Sequence, residues 1–185
     1  MPNELQLIVQ VAQFEEAKGG LQPIRTYIVR VLGVLEHQVS NLGTTTDEAV
    51  LTNDHPVLYQ YNTPSTALFF RGQVMDAATL LVDIMQEHAA TFRGWRQFPD
   101  YLNKEVALMT MLTSGGALLG QMPLPLAERL DKVLQAHGLE TKLIQGDIPT
   151  KAHKSPLQSQ EVMALLIGES YFVSYAFSFE EVGKV

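Results

Sequence analysis

Five histidines are the residues of this 185-residue chain best suited to proton transfer or metal binding. No two of them have the HxxxH or HxH spacing that places two ring nitrogens on one metal ion. Cysteine is absent, which removes thiolate metal sites, thiol nucleophiles and disulfides. The sequence therefore predicts no metal site. The histidines stand at His37, His55, His88, His137 and His153.

Serine nucleophiles and phosphate-binding loops have local signatures, and neither signature occurs in this chain. There is no GxSxG, and TSGGALLG at 113–120 lacks the spacing and the lysine of a phosphate loop. Ser114 and the paired glycines after it fit the end of a helix and a turn. The dinucleotide fingerprint is absent too, so we predict no cofactor.

His88 and His55 are the histidines whose surroundings suit a reaction. His88 falls on the apolar stripe of a predicted helix, where a histidine is most often a core or interface residue. The same position would also suit a general base or a ligand contact in a pocket. His55 lies in NDHP at 53–56, a sequence that fits a turn better than a catalytic Asp–His pair. An enzyme that uses either histidine is the least favoured of our three functional hypotheses.

Residues 91–101, TFRGWRQFPDY, contain the only tryptophan together with two arginines. Gly94 suits the end of one helix and Pro99 the start of the next, so we predict a helix–helix corner. The alternative is a binding edge, with arginines that answer helix carbonyls or stack on the indole. For a pocket between helices and sheet, the candidate ligand-binding residues are His88, Arg93, Trp95, Arg96, Tyr59 and Tyr175.

Composition and charge exclude several classes of partner. The net charge is −7 and no compact basic face is visible, so nucleic-acid binding is disfavoured. The basic residues of KAHK at 151–154 read as a solvated loop. Residues 106–127 are uncharged over a membrane-spanning length, but glycines and prolines interrupt them, so we predict core and not membrane. The N-terminus lacks the basic region of a signal peptide, and we expect a cytoplasmic protein.

Periodicity predicts the elements that position these residues. Residues 4–17 fit a helix or an alternating strand, and we favour the helix. The apolar spacing of 22–42 predicts a helix that ends at Gly43. A β-hairpin is predicted from VLYQY at 57–61 and TALFFRG at 66–72. Further helices are predicted from Asp76 to Phe92, from Pro99 to Thr113, over 124–138, and from Ser155-Pro156 to Gly168, with strands at 140–146 and 171–179.

These elements predict an α+β protein: one helix-rich domain over 1–185, with about five or six helices packed on a small, mainly antiparallel sheet. Residues 1–43 would form a helical N-terminal extension. The leading functional hypothesis is a non-catalytic cytosolic interaction or accessory protein that forms a homodimer or another homo-oligomer, or binds another protein. It rests on the low charged fraction of 18% and on aromatic strands able to extend a sheet. The alternative is a small-molecule binding or sensing domain.

Overall fold

The computed structural model describes residues 3–40, 43, 45–152 and 162–183. Strand accounts for 46% and helix for 31%, and the strands form two antiparallel sheets. The chain is therefore a sheet-dominated α+β protein, and the predicted helix-rich domain with five or six helices is wrong. Within the described residues, α-helices longer than two turns are limited to one of 16 residues and one of 13.

The strands are β1 (Glu4–Glu15), β2 (Gly20–Gln38), β3 (Ala49–Thr52), β4 (Ser65–Arg71), β5 (Gly116–Pro123), β6 (Glu140–Gln145), β7 (Met163–Ile167) and β8 (Ser170–Gly183). The α-helices are α1 (Tyr59–Asn62), α2 (Ala77–Phe92), α3 (Leu108–Thr113), α4 (Leu124–Ala136) and α5 (Pro149–Ala152). Single turns of 3-10 helix occur at Glu16–Lys18, Pro56–Leu58 and Phe98–Tyr101. The chain divides into two compact units: unit 1 combines 1–53 with 160–185, and unit 2 is 54–159. That these units make up one domain stays a prediction.

Unit 1 is a five-stranded sheet in the order β1-β2-β8-β7-β3. β1 and β2 form a long hairpin, which Gly19 closes in the left-handed conformation at φ 65°. One apolar cluster of this unit joins Val29 and Val31 of β2 to Leu165 and Phe172. The sheet is antiparallel at every pairing among the described strands.

Both helices predicted in the N-terminal region are wrong, because 4–15 and 20–38 are strands. β2 has β-branched residues at 24, 26, 28, 29, 31 and 34, a composition that favours strands. Its alternation is hidden by bulges: Ile24 is an extra residue in the ladder with β1, and Leu35 is one in the ladder with β8. Each bulge shifts the apolar positions by one residue, which imitates a helical period.

Unit 2 is a three-stranded sheet in the order β5-β4-β6 with α2 and α4 packed on it. The predictions of α2 and α4 are confirmed. Asp76 caps α2, since its Oδ1 accepts from the backbone N–H groups of Ala78 and Thr79 at 3.0 Å. The core contains many side chains with no exposed area: Leu68, Leu80, Ile84, Phe92, Leu112, Leu119, Ala127 and Leu134.

Two predictions inside unit 2 are wrong. VLYQY is helical, as parts of the Pro56–Leu58 turn and α1, and β4 pairs with β5 and β6 instead of forming a hairpin with it. The helix predicted from Pro99 to Thr113 is split into a 3-10 turn and α3. Between them, Leu102 forms a β-bridge with Gly120. A Cβ on Gly120 would lie 2.1 Å from the Tyr101 carbonyl oxygen, so this close approach requires glycine.

Some predictions fall wholly or partly outside the described residues. In the basic loop predicted at 151–154, only residues 151 and 152 belong to the described part, and they end α5. The start of the helix predicted at Ser155-Pro156 lies outside them as well. Its end is wrong, because Met163–Ile167 forms β7. No helix of the described chain is long and apolar enough to cross a membrane.

Candidate interaction surface

His88 is enclosed by aromatic rings in the core of unit 2. Its ring centroid lies 4.9 Å from that of Phe92 and 5.5 Å, edge to face, from that of Phe98. The residue is 5% exposed, and its Nε2 has no hydrogen-bond partner among the described residues. Burial lowers the pKa of His88, while the Asp100 carboxylate and the Gln97 carbonyl oppose that shift. His88 is thus a neutral core histidine, and substrate cannot approach it without local opening.

The loop after α2 is a tightly packed corner. Arg93 ends the helix in the left-handed conformation at φ 51°, and its N–H donates to the Ala89 carbonyl. The Trp95 ring packs edge to face on His55 at 5.1 Å. Arg96 donates from Nη2 to the Val57 carbonyl at 2.9 Å. The sequence predicted a corner here. Arg93 takes part in it through its left-handed backbone conformation, and Arg96 through its hydrogen bond to the Val57 carbonyl.

His55 is the second histidine considered for catalysis. Its Nδ1 accepts from the Val57 N–H at 3.3 Å, so the ring caps the Pro56–Leu58 turn. Burial lowers the pKa of His55, and the positive charge of Arg93 lowers it further. The sequence predicted a turn at NDHP in which Pro56 enters a strand; instead Pro56 begins a 3-10 turn, and the His55 side chain caps it.

The six predicted ligand residues are not all brought together. Tyr59 lies 6.2 Å from Phe92 between ring centroids, on the same aromatic cluster as His88. Arg93, Trp95 and Arg96 form the adjoining corner of unit 2. Tyr175 belongs to β8 of unit 1, where its ring lies over Gly33, whose Cβ would be 3.1 Å from the ring. A ligand-binding role for these residues stays a prediction.

Two cavities in unit 2 are small for a ligand site. One of about 70 Å³ lies beside Tyr101 and Gln121, and one of about 160 Å³ lies between α2 and α4. Small-molecule pockets usually measure about 300–1,000 Å³. Neither cavity includes a predicted ligand residue among its described lining residues.

A hydrogen bond and an ion pair cross the groove between α2 and α4. His137 Nε2 lies 2.7 Å from Asp83 Oδ2, and Arg129 Nη1 lies 3.1 Å from Glu87 Oε2. These contacts link the two helices. Across the described part of the chain, no three histidines or carboxylates are grouped so as to hold a metal ion.

The outer edge of β1 is one of the two edges of the sheet in unit 1. β1 is the terminal strand in the sheet order, so no described strand pairs with its outer side. The Asn3 carbonyl accepts from the N–H groups of Gly33 and Val34 on β2, at 3.0 and 3.1 Å. Because backbone groups alternate along a strand, Gln6, Ile8 and Gln10 direct their N–H and C=O groups away from β2.

β1 lacks the devices that usually protect an edge strand. Residues 5–14 contain no charge and no proline. Apolar side chains on this strand are exposed, Ile8 by 75% and Phe14 by 61%. At the other edge, β3 is only four residues long. A long, uncharged edge of this kind pairs readily with another strand.

Sequence reasoning did not select these residues as a site. The alternation of Leu5, Leu7, Val9 and Val11 was visible, but Leu5, Ile8, Val9 and Ala12 also fitted one face of a helix. The absence of charge over 5–14 was the signal that was missed. The strands that were expected to extend a sheet have both edges paired, since β8 lies between β2 and β7, and β4 lies between β5 and β6.

The chain matches no protein-family model, and comparisons with curated proteins and with solved structures found no match either. The geometry of the described residues is therefore the basis for a functional proposal.

Proposed function

We propose that this chain is a non-catalytic interaction protein of the cytoplasm that self-associates by strand pairing at the outer edge of β1. The observation that carries the proposal is the unpaired outer edge of β1, a 12-residue strand with no charge over residues 5–14. The cytoplasmic setting is supported by the absence of cysteine, which suits a reducing compartment.

Strand pairing at β1 would satisfy backbone groups and cover apolar side chains together. Each new backbone hydrogen bond contributes about 0.5–1.5 kcal/mol net, and favourable cross-strand side-chain pairs contribute roughly 0.2–1 kcal/mol each. Ile8 and Phe14 lie on the strand that would be paired, so their exposed area would also decrease. These contributions act in the same direction, and no charge on 5–14 opposes them.

The other two hypotheses receive less support from the geometry. A small-molecule site is disfavoured by cavities of about 70 and 160 Å³, which are smaller than usual ligand pockets. Catalysis by His88 is disfavoured by its enclosure among aromatic rings, and catalysis by His55 by its capping bond.

The test is the oligomeric state measured by light scattering after gel filtration at micromolar concentration. We expect the natural chain to be a dimer or a larger assembly. Ile8→Lys should weaken self-association at least about tenfold, because edge lysines discourage strand pairing. The matched control is Ile144→Lys, which changes an exposed isoleucine on an edge strand of unit 2. A strictly monomeric natural chain, or equal effects of both variants, would reject the proposal.

A further inference from the structure

We infer that the strand paired with β1 is β1 of a second copy of this chain, antiparallel and related by a two-fold axis through Ile8. The two five-stranded sheets would then join into one continuous sheet. This inference rests on the proposed self-association and adds to it the partner strand and the register.

The sequence of β1 is nearly symmetric about Ile8. At equal distances on either side stand Leu7 and Val9, then Gln6 and Gln10, then Leu5 and Val11. An antiparallel pairing centred on Ile8 therefore places each residue opposite its chemical counterpart in the second copy. The glutamine carboxamides suit such a pairing, because each carries both donors and an acceptor.

Backbone direction is compatible with this centre. The Ile8 N–H and C=O face the free edge, as deduced from the Asn3 carbonyl contacts. A two-fold axis through such a residue makes a pair that exchanges two hydrogen bonds. An axis through Leu7 or Val9 would instead set Ile8 against a glutamine on both sides of the joint.

The surrounding sheet accommodates this register. The ladder between β1 and β2 is regular over residues 4–11 and is interrupted only beyond Val11, so the symmetric segment lies within it. In this register Glu4 falls opposite Ala12 and not opposite a second glutamate. Ile28 is the partner of Ile8 in the β1–β2 ladder, so a row of isoleucines would run across the joint. This row would cover Ile8, the most exposed apolar residue of β1.

Cysteine cross-linking tests the register, since the natural chain contains no cysteine. Hydrogen-bonded pairs have Cα atoms about 5.5 Å apart, within the range that a disulfide bridges. Ile8→Cys should give a covalent dimer under mild oxidation or with a short bismaleimide reagent. Val82→Cys, on the exposed face of α2, is the control and should stay uncross-linked.

A mixed experiment fixes the axis independently. Gln6→Cys and Gln10→Cys should cross-link to each other when the two variants are mixed. Neither variant should cross-link to itself. Gln6 of one copy lies opposite Gln10 of the other, so the two copies of Gln6 are four residues apart along the strands, or about 13 Å, and the same holds for Gln10.

The outcomes separate the two proposals. If Ile8→Lys disrupts the dimer but Ile8→Cys is cross-linked by neither reagent, the register is wrong. Self-association through β1 would still be supported. Efficient cross-linking of Gln6→Cys or Gln10→Cys alone would likewise overturn the axis at Ile8. A monomeric natural chain would remove both.

Discussion

Units 1 and 2 bury their apolar residues in different ways. Unit 2 encloses a core in which Phe92 and several leucines have no exposed area, and its exposed apolar residues are scattered over α2, α3, β6 and loops. In unit 1, exposed apolar residues are concentrated on three adjacent strands. On these strands they are Ile8, Val11 and Phe14 of β1, Leu21, Ile24 and Leu35 of β2, and Phe179 and Val182 of β8, while Val39 after β2 and Leu51 of β3 lie elsewhere in the unit.

The difference is the reason why our proposal places the partner on unit 1. Single exposed apolar residues are normal on a protein surface, whereas a long unpaired strand edge that carries exposed apolar side chains favours pairing with another strand. On our proposal, unit 1 would gain stability from an added strand, whereas unit 2 would not. Variants at matched positions of the two units test this difference.

Truncation of a phenylalanine should give the largest contrast. Phe92→Ala removes a ring of unit 2 that is 0% exposed, whereas Phe14→Ala removes one of unit 1 that is 61% exposed. We expect the free energy of unfolding to fall by about 4 kcal/mol for Phe92→Ala, because the cavity cannot collapse. For Phe14→Ala we expect a change below about 0.5 kcal/mol. Urea unfolding followed by circular dichroism measures both, and equal losses would refute the contrast.

A methyl group added to glycine should give a smaller contrast. On Gly120 it would meet the Tyr101 carbonyl at 2.1 Å and the Leu102 Cα at 2.9 Å. On Gly20, in the β1–β2 hairpin, it would meet nothing within 4 Å. Gly120→Ala should therefore destabilise the protein by about 2 kcal/mol, the usual cost of overpacking, and Gly20→Ala by less than about 0.5 kcal/mol. Thermal unfolding checks this, and a tolerated Gly120→Ala would show that the Leu102 bridge can move.

Acid should give the smallest effect, and it acts on unit 2 through His88. Burial lowers the pKa of His88 below its ordinary value of 6.5, so below neutral pH the unfolded chain binds the proton more readily. The contribution of neutral His88 to the free energy of unfolding is complete above pH 6.5. It is lost as the pH falls from 6.5 toward the pKa of His88 in the folded protein. His88→Leu should flatten this loss. Fluorescence of Trp95, the only tryptophan, follows unit 2 during urea unfolding between pH 7 and 5. An unchanged pH dependence in the variant would assign the loss to other groups.

The parts of the fold that the sequence predicted are those that local signals determine. α2 has Asp76 as its cap, and α4 is followed by Gly138 in the left-handed conformation. β8 shows an almost perfect alternation over 171–179, which only Phe172 interrupts. β2 was misassigned because the extra residues Ile24 and Leu35 shift its alternation, and these bulges exist only in relation to neighbouring strands.

The candidate surface depends even more on distant pairing. Whether a strand lies at an edge is decided by its partners, and the β2–β8 ladder brings together Arg30 and Glu180, 150 residues apart in sequence. That ladder fills one side of β2 and leaves β1 outermost. The aromatic cluster around His88 was visible as an apolar stripe on α2, but Phe98 and Tyr101 reach it through a loop whose path the sequence did not reveal.

Unit 2 is inserted between β3 and β7 of unit 1, and this order has a consequence on the ribosome. β1 and β2 leave the exit tunnel before unit 2, while β8 follows it. Domains generally fold as units during synthesis, so unit 2 completes its core while the first hairpin still lacks its third strand. In that interval the nascent hairpin exposes the edges of both β1 and β2. Translation of the 54–159 segment is therefore the stage at which neighbouring chains on one messenger RNA are most prone to mispair, and at which a holding chaperone would protect the yield most.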